Sequence, residues 1–300
     1  MNVLMTQFSF WRVLILVLTI APATNAATLQ PAALREWDLY IESANAQIAD
    51  RASRGKTFLW VDENAQRLAT VRAGGIALFQ VTPKNSKRLP SAIINDWMGA
   101  VFIPNSKIGD VLNIVRTYGR YEDFYRPNVA DSKATVTGEP KDSFSTDQAK
   151  DRFSMILVNK SYLLNTAFET AYQVSYIGVT NVIGYSVSQS TRVQQIDRFG
   201  AASQHMLSVG EGSGIIWRLF SVTRYVERDG GGVYVELEAI GLSRNIPVSI
   251  RWIIQPMVRR ALRESLTTSL RQTEAAVQSR MELIGRRADK RTVKIETTTP

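Results

Sequence analysis

The sequence predicts an α+β protein in which an antiparallel sheet packs on one long C-terminal helix, preceded by a small N-terminal α+β appendage. Three observations carry the prediction. Residues 129–242 read as strand-like runs punctuated by turn residues, the pattern of a meander. Ile250, Ile254, Val258, Leu262, Leu266, Leu270, Thr273 and Val277 then recur almost entirely at fours, which marks a long amphipathic helix. One extended segment and two short helical patterns stand ahead of the meander. With 45% hydrophobic and 21% charged residues in a chain of 300, the composition is that of a globular protein with room for one large domain and a smaller unit.

The first 26 residues read as a signal peptide. Arg12 supplies the positive charge, Val13 to Ala21 the apolar run, and Pro22 to Ala27 the small residues of a cleavage site, with the cut after Ala26. The apolar run is shorter than the ~20 residues a spanning helix needs. A periplasmic or secreted protein is expected, and the chain has no cysteine, which excludes a thiol nucleophile, thiolate-bound metals and a cysteine-borne lipid. The net charge of +9 falls to +8 once Arg12 leaves with the leader. Such a basic balance suits either nucleic acid or an anionic membrane surface; the export signal and the lack of a nucleic-acid motif favour the membrane and argue for no nucleic-acid partner.

Residues 28–88 form the expected appendage. Leu34, Trp37, Ile41, Ala44 and Ile48 put a helix over 33–51; strands are predicted at 57–61 and 76–81, with a polar link between them ending at Gly74-Gly75. The main domain spans 90–285. It opens with an extended segment over 91–102, then a helix from Lys107 with Ser106 as N-cap, then a second short helix ending at Pro127. Strands follow at about 129–137, 152–160, 165–177, 182–195, 214–227 and 232–242. Phe168, Thr170, Tyr172, Val174 and Tyr176 share one face of their strand, and Ile183, Tyr185, Val187, Gln189 and Thr191 one face of theirs. Asp229-Gly230-Gly231-Gly232 is a hairpin turn that sets Arg224 opposite Glu236 and Val222 opposite Glu238, which allows Arg218 and Arg224 to pair with the glutamates on a solvated, charged face. Pro256 predicts a kink or fresh start in the closing helix, which should end near Gly285, leaving 286–300 as a basic disordered tail.

The order of strand, two short helices, antiparallel meander and long C-terminal helix resembles the START-like or SRPBCC superfamily, whose helix-grip fold wraps a curved sheet around that helix. Residues 97–104 (WMGAVFIP), 233–247 (VYVELEAIGLSRNIP) and 263–266 (RESL) resemble segments of an exported bacterial branch of that superfamily, as do 58–62 (FLWVD) and 71–74 (VRAG) upstream. The resemblance covers most of the chain that follows the leader. It implies a cavity between sheet and helix for an apolar ligand, and implies binding more firmly than catalysis.

The residues themselves agree in offering no catalytic constellation. His205 is the single histidine, set in a glycine and serine-rich stretch read as a loop, with no second ligand to build a metal site. Gly210, Gly212 and Gly214 lack the spacing and the following Lys-Ser or Lys-Thr of a phosphate loop and suggest a mobile flap. No catalytic residue, metal or cofactor is therefore assigned. A hydrophobic small molecule or lipid is the expected partner, in a carrier or sensor. By alternation and helical phase its lining residues are Met155, Leu157, Phe168, Tyr172, Tyr185, Val187, Leu219, Ile254, Met257 and Leu262. The alternative is a cyclase or dehydratase-type enzyme using the same cavity, with Arg218, Arg224, Glu236, Tyr172 and Tyr185 as candidate polar groups.

Overall fold

A computed structural model describes residues 29–54, 57–81, 87–89, 92–136, 142–144, 150–161, 164–228, 230–245 and 248–296; the expected signal peptide and the last four residues lie outside them. Helix α1 (Pro31–Arg54) leads into a 3-10 turn (Trp60–Glu63) and helix α2 (Ala65–Arg72). Strands β1 (Ala77–Gln80), β2 (Lys87–Leu89) and β3 (Ala92–Pro104) precede helices α3 (Ile108–Val115) and α4 (Tyr121–Phe124). Then come β4 (Val129–Val136), β5 (Asp151–Ser161), β6 (Leu164–Thr180), β7 (Ile183–Asp197), the short β8 (His205–Met206), β9 (Arg218–Glu227) and β10 (Gly232–Arg244). Helix α5 (Val248–Glu296) closes the chain. The strands form one antiparallel sheet in the order β1-β3-β10-β9-β7-β6-β5-β4, with β2 paired to β3 and β8 to β7. The architecture is the expected α+β arrangement of sheet and C-terminal helix.

Two layers cover the sheet. On one face α1 buries Trp37, Ile41, Ala44 and Ile48, its apolar stripe, against Ile94, Met98, Phe220, Val222, Ile240 and Leu242. On the other, α3 and the middle of α5 bury Val111, Leu112, Leu266, Leu270 and Val277 against Val101, Ile103, Val233 and Val235. Within the segment 28–88, β1 and β2 extend the main sheet through β3, and α1 shares its core.

Several elements differ from the expectation. Phe58, Leu59, Trp60 and Val61 are all buried, with no strand alternation; Trp60 and Val61 open the 3-10 turn, and the Val61 N–H donates to Glu236 Oε2 at 3.2 Å. The expected polar link contains helix α2, whose apolar face is no more than Leu68 and Val71; the Asn64 side chain, accepting from Arg67 N at 3.0 Å, starts it. At α3 the cap is not Ser106, whose hydroxyl donates back to Ile103 O at 2.8 Å. Carboxylates do that work, Asp110 accepting from Lys107 N at 2.9 Å and Glu227 from Ile108 N at 3.0 Å. Helix α5 continues through Pro256 and past Gly285, so its last turns occupy part of the expected tail. The glycine stretch is no free flap either: Leu29 N bonds Gly210 O at 3.3 Å, Ser213 N bonds Gln195 Oε1 at 2.7 Å, and Arg244 N bonds Gly214 O at 2.7 Å.

Candidate functional site

Helix α5 meets the sheet at Gly99. A Cβ there would lie 2.8 Å from Leu270 Cδ1, 2.9 Å from Leu78 Cδ2 and 3.1 Å from Leu266 Cδ2, so only glycine admits the helix this close to β3. Beside this seat α3, Tyr118, Tyr121 and Phe153 fill the space over β5, β6 and the ends of β9 and β10.

Toward the other end of the central strands the covering thins. On β9 and β10 the residues facing α1, Phe220, Val222, Arg224, Glu236, Glu238, Ile240 and Leu242, are all buried. Their alternating neighbours on the α5 side, Leu219, Ser221, Thr223, Leu237, Ala239 and Gly241, are all only half-buried. The pairings extend this line across the sheet, Ser188 opposite Ser221 and Ala239 opposite Trp97. The result is a trough whose floor is made of small side chains and whose margin carries Trp97, Leu219 and Leu237, half-buried and packed against the helix-side core. On the flank stands an aromatic wall: Tyr118 stacks on Phe153 at 4.4 Å between centroids, and Phe153 on Tyr172 at 5.0 Å.

The predicted lining residues divide between the two faces. Met155, Tyr172 and Leu219 pack on the α5 side, and Leu157 pairs with Phe168 on that same face of β5 and β6. Leu262 is half-buried on α5, and the side chains of Ile254 and Met257 lie outside the described residues. Tyr185 and Val187, by contrast, pack against the α1-side core. A register shift explains them. Ala171 pairs with Arg192 but Tyr172 with Ser190, so Thr191 bulges from β7 and every residue before it changes face relative to β6. Without that bulge Tyr185 and Val187 would join Tyr172. With it, Ser186, Ser188 and Ser190 do.

The bulge also separates the polar groups considered for a cyclase. Tyr172 is on the trough side, whereas Arg224, Glu236 and Tyr185 are on the other. The hairpin register is as predicted, Glu236 opposite Arg224 and Glu238 opposite Val222, but the face is not solvated. Arg224 is 2% exposed and bridges Glu236 at 3.2 Å and Glu238 at 2.7 Å, because the turn of residues 58–61 and α1 cover this side of the sheet. Burial pushes the Glu236 carboxyl up, against the opposing pull of Arg224 and the Trp60 and Val61 amides.

A second buried network closes the aromatic end of the trough side. Arg116 Nε meets Asp151 Oδ2 at 3.1 Å, the Tyr118 hydroxyl donates to the same oxygen at 2.8 Å, and the Tyr118 and Tyr176 hydroxyls are 2.9 Å apart. Burial drives both phenols far above their ordinary range, so they remain neutral donors. Outside this network, a half-open cavity of about 1070 Å³ lies between the start of α3, Ser143, Phe144 and the end of β6. Its lining includes Lys107, Asn113, Tyr176, Thr180 and Glu227, and none of the residues predicted from the sequence. His205 sits exposed on β8, its Nδ1 3.4 Å from Ser203 O.

No protein-family model matches the chain, and no curated protein does. Among solved structures it is similar to a STAR-related lipid transfer protein from Xanthomonas axonopodis at 15% identity and a TM-score of 0.41, over 68% of this chain and 94% of that one. It is similar to human STARD10 at 9% identity and a TM-score of 0.42, over 76% and 84% of the two chains. The Zhui aromatase/cyclase from Streptomyces sp. R1128 is similar at 8% identity and a TM-score of 0.40, over 63% and 96%.

Proposed function

We propose that this chain is an exported, periplasmic or secreted binding protein for a hydrophobic small molecule or lipid, a carrier or sensor that holds its ligand in the trough between the sheet and α5. The observation that supports it is the contrast along β9 and β10, where the α1-facing positions from Phe220 to Val226 and from Tyr234 to Leu242 are buried and every position from Leu219 to Thr223 and Leu237 to Gly241 facing α5 is left half-open above small side chains. Each methylene that a ligand buries there contributes roughly 0.8 kcal/mol, so a long apolar molecule needs few polar contacts. The trough-side polar network is made of groups already paired with one another, which suits packing better than acid-base chemistry. An anionic membrane surface is the proposed place of loading, on the strength of the net charge of +9.

Native mass spectrometry of protein purified gently from its own host tests the reading. An adduct of lipid or other apolar mass, lost on denaturation, is expected; a ligand-free protein that also takes up no long-chain lipid on incubation would overturn it. Vesicle flotation tests the surface: binding to anionic vesicles at low salt should exceed binding to neutral ones, and equal binding removes that part of the proposal.

A further inference from the structure

Beneath α1 three buried carboxylates lie near one guanidinium, which bridges two of them. Glu236 (0% exposed) takes Arg224 Nη1 and the Val61 amide, and Glu238 (6%) takes Arg224 Nη2. That leaves Asp96 (1%), on the same face of β3, with a single donor: the Tyr40 hydroxyl of α1, at 2.7 Å from Oδ2. Its Oδ1 is buried without a partner among the described residues, and no basic side chain there reaches salt-bridge distance of it. Among the described residues, the charged and titratable groups acting on Asp96 are Tyr40 from α1, Glu238 from β10 and Arg224 from β9; Glu236 shares that Arg224, Asp38 of α1 and Arg218 of β9 interact with each other, and Arg51 of α1 acts on Glu236. Arg224 is already committed to two glutamates. An ionised Asp96 would add a third negative charge to one cation in a dry interior, with one oxygen bare. Burial first, and Glu238 second, accordingly push its carboxyl up to about 7.

From this geometry we infer that Asp96 is a protonation-controlled clasp for α1: the neutral carboxyl lets the helix stay down on the sheet, and the ionised one draws in water that only a lifted helix admits. The seat it controls is the α1-side core, since Tyr40 lies on the same helix as Trp37, Ile41 and Ala44. What opens first as pH rises is therefore one helix, ahead of the rest of the fold. The trough, on the opposite face of the sheet, is not part of the device.

Hydrogen exchange of the full chain, read by mass spectrometry from pH 5 to 8.5 and corrected for intrinsic exchange, tests this. Protection of peptides within 31–54 should fall from pH 5 upward by at most about tenfold per pH unit, the limit for release of one proton, and level off above about 7, while β9 and β10 stay protected. Asp96→Asn should flatten that profile. Glu238→Gln, which removes the neighbouring charge, should let Asp96 ionise more easily and so move the midpoint to lower pH, and Tyr40→Phe should move it to higher pH by removing the donor that favours the anion. A wild-type profile without a pH step in 31–54, or Asp96→Asn retaining the step, overturns the inference; should Asp96→Asn fail to fold, unmoved midpoints in both other variants overturn it equally.

Discussion

Arg224→Met isolates the energetics of the buried charges. The side chain is 2% exposed and is the cation shared by Glu236 and Glu238, so its removal leaves two carboxylates in the interior, one of which keeps the Val61 amide and the other no donor among the described residues. Breaking one buried pair in this way costs about 3–5 kcal/mol, and two stranded carboxylates put this variant at the upper end. The loss must depend on pH. Without Arg224 both glutamates hold their protons to higher pH in the folded state than in the unfolded one, so stability is retained at low pH and lost as pH rises through the folded-state values. Urea denaturation at pH 5 and at pH 8 measures it: the penalty should be larger at pH 8, and adding Glu236→Gln and Glu238→Gln should recover most of it. A penalty below about 1 kcal/mol, or one equal at both pH values, would refute the assignment of these groups as a buried, charged cluster.

Three further outcomes are expected. Gly99→Val forces two methyls and a Cβ into the space of Leu270, Leu78 and Leu266 and should cost about 1–3 kcal/mol in urea melts; a neutral effect would mean that α5 does not sit there. Ser221→Leu, on the half-buried trough floor, should leave stability within about 1 kcal/mol of wild type but lower ligand occupancy in native mass spectra at least ~10-fold, and unchanged occupancy would exclude the trough as the site. Asp96, raised from 3.8 to about 7, binds its proton more tightly folded than unfolded, so global stability should fall as pH rises between those values, by up to about 4 kcal/mol; a flat wild-type pH profile, or an equal slope in Asp96→Asn, would contradict it.

The sheet, the closing helix and the β9–β10 register were legible because each rests on a local signal: alternation, a period of four, and a run of glycines. Gly230 and Gly231 take φ of +76° and +107°, values that side-chain-bearing residues avoid, and Glu227 pairs with Val233 across that turn as the loop length required. What alternation could not deliver was which side of the sheet each strand turned inward. Thr191 carries no mark of a bulge, yet that one unpaired residue moves Tyr185 and Val187 away from α5 and brings Ser186 and Ser188 toward it. Burial of the Arg224 cluster was equally hidden, since charged residues at alternate positions read as a wet face until a segment far away in sequence covers them. Residues 58–61 are that segment, and their four consecutive apolar side chains were the available clue that they pack as a plug and not as a strand.

The pairing of β3 with β10 also fixes the order in which the molecule can be assembled. These two strands lie side by side along thirteen partners from Gly232↔Pro104 to Arg244↔Ala92, yet well over a hundred residues separate them along the chain. Ribosomal synthesis finishes β3 early and must then produce the entire meander before its principal neighbour exists. Through that interval β3 has only the short β1 and β2 beside it, and β9, once made, presents a bare edge. Loop closure over such a distance is slow, and a nascent chain holding two unsatisfied strand edges invites pairing with its copies. Truncations that stop before Gly232 should consequently aggregate, even though they retain most of the strands.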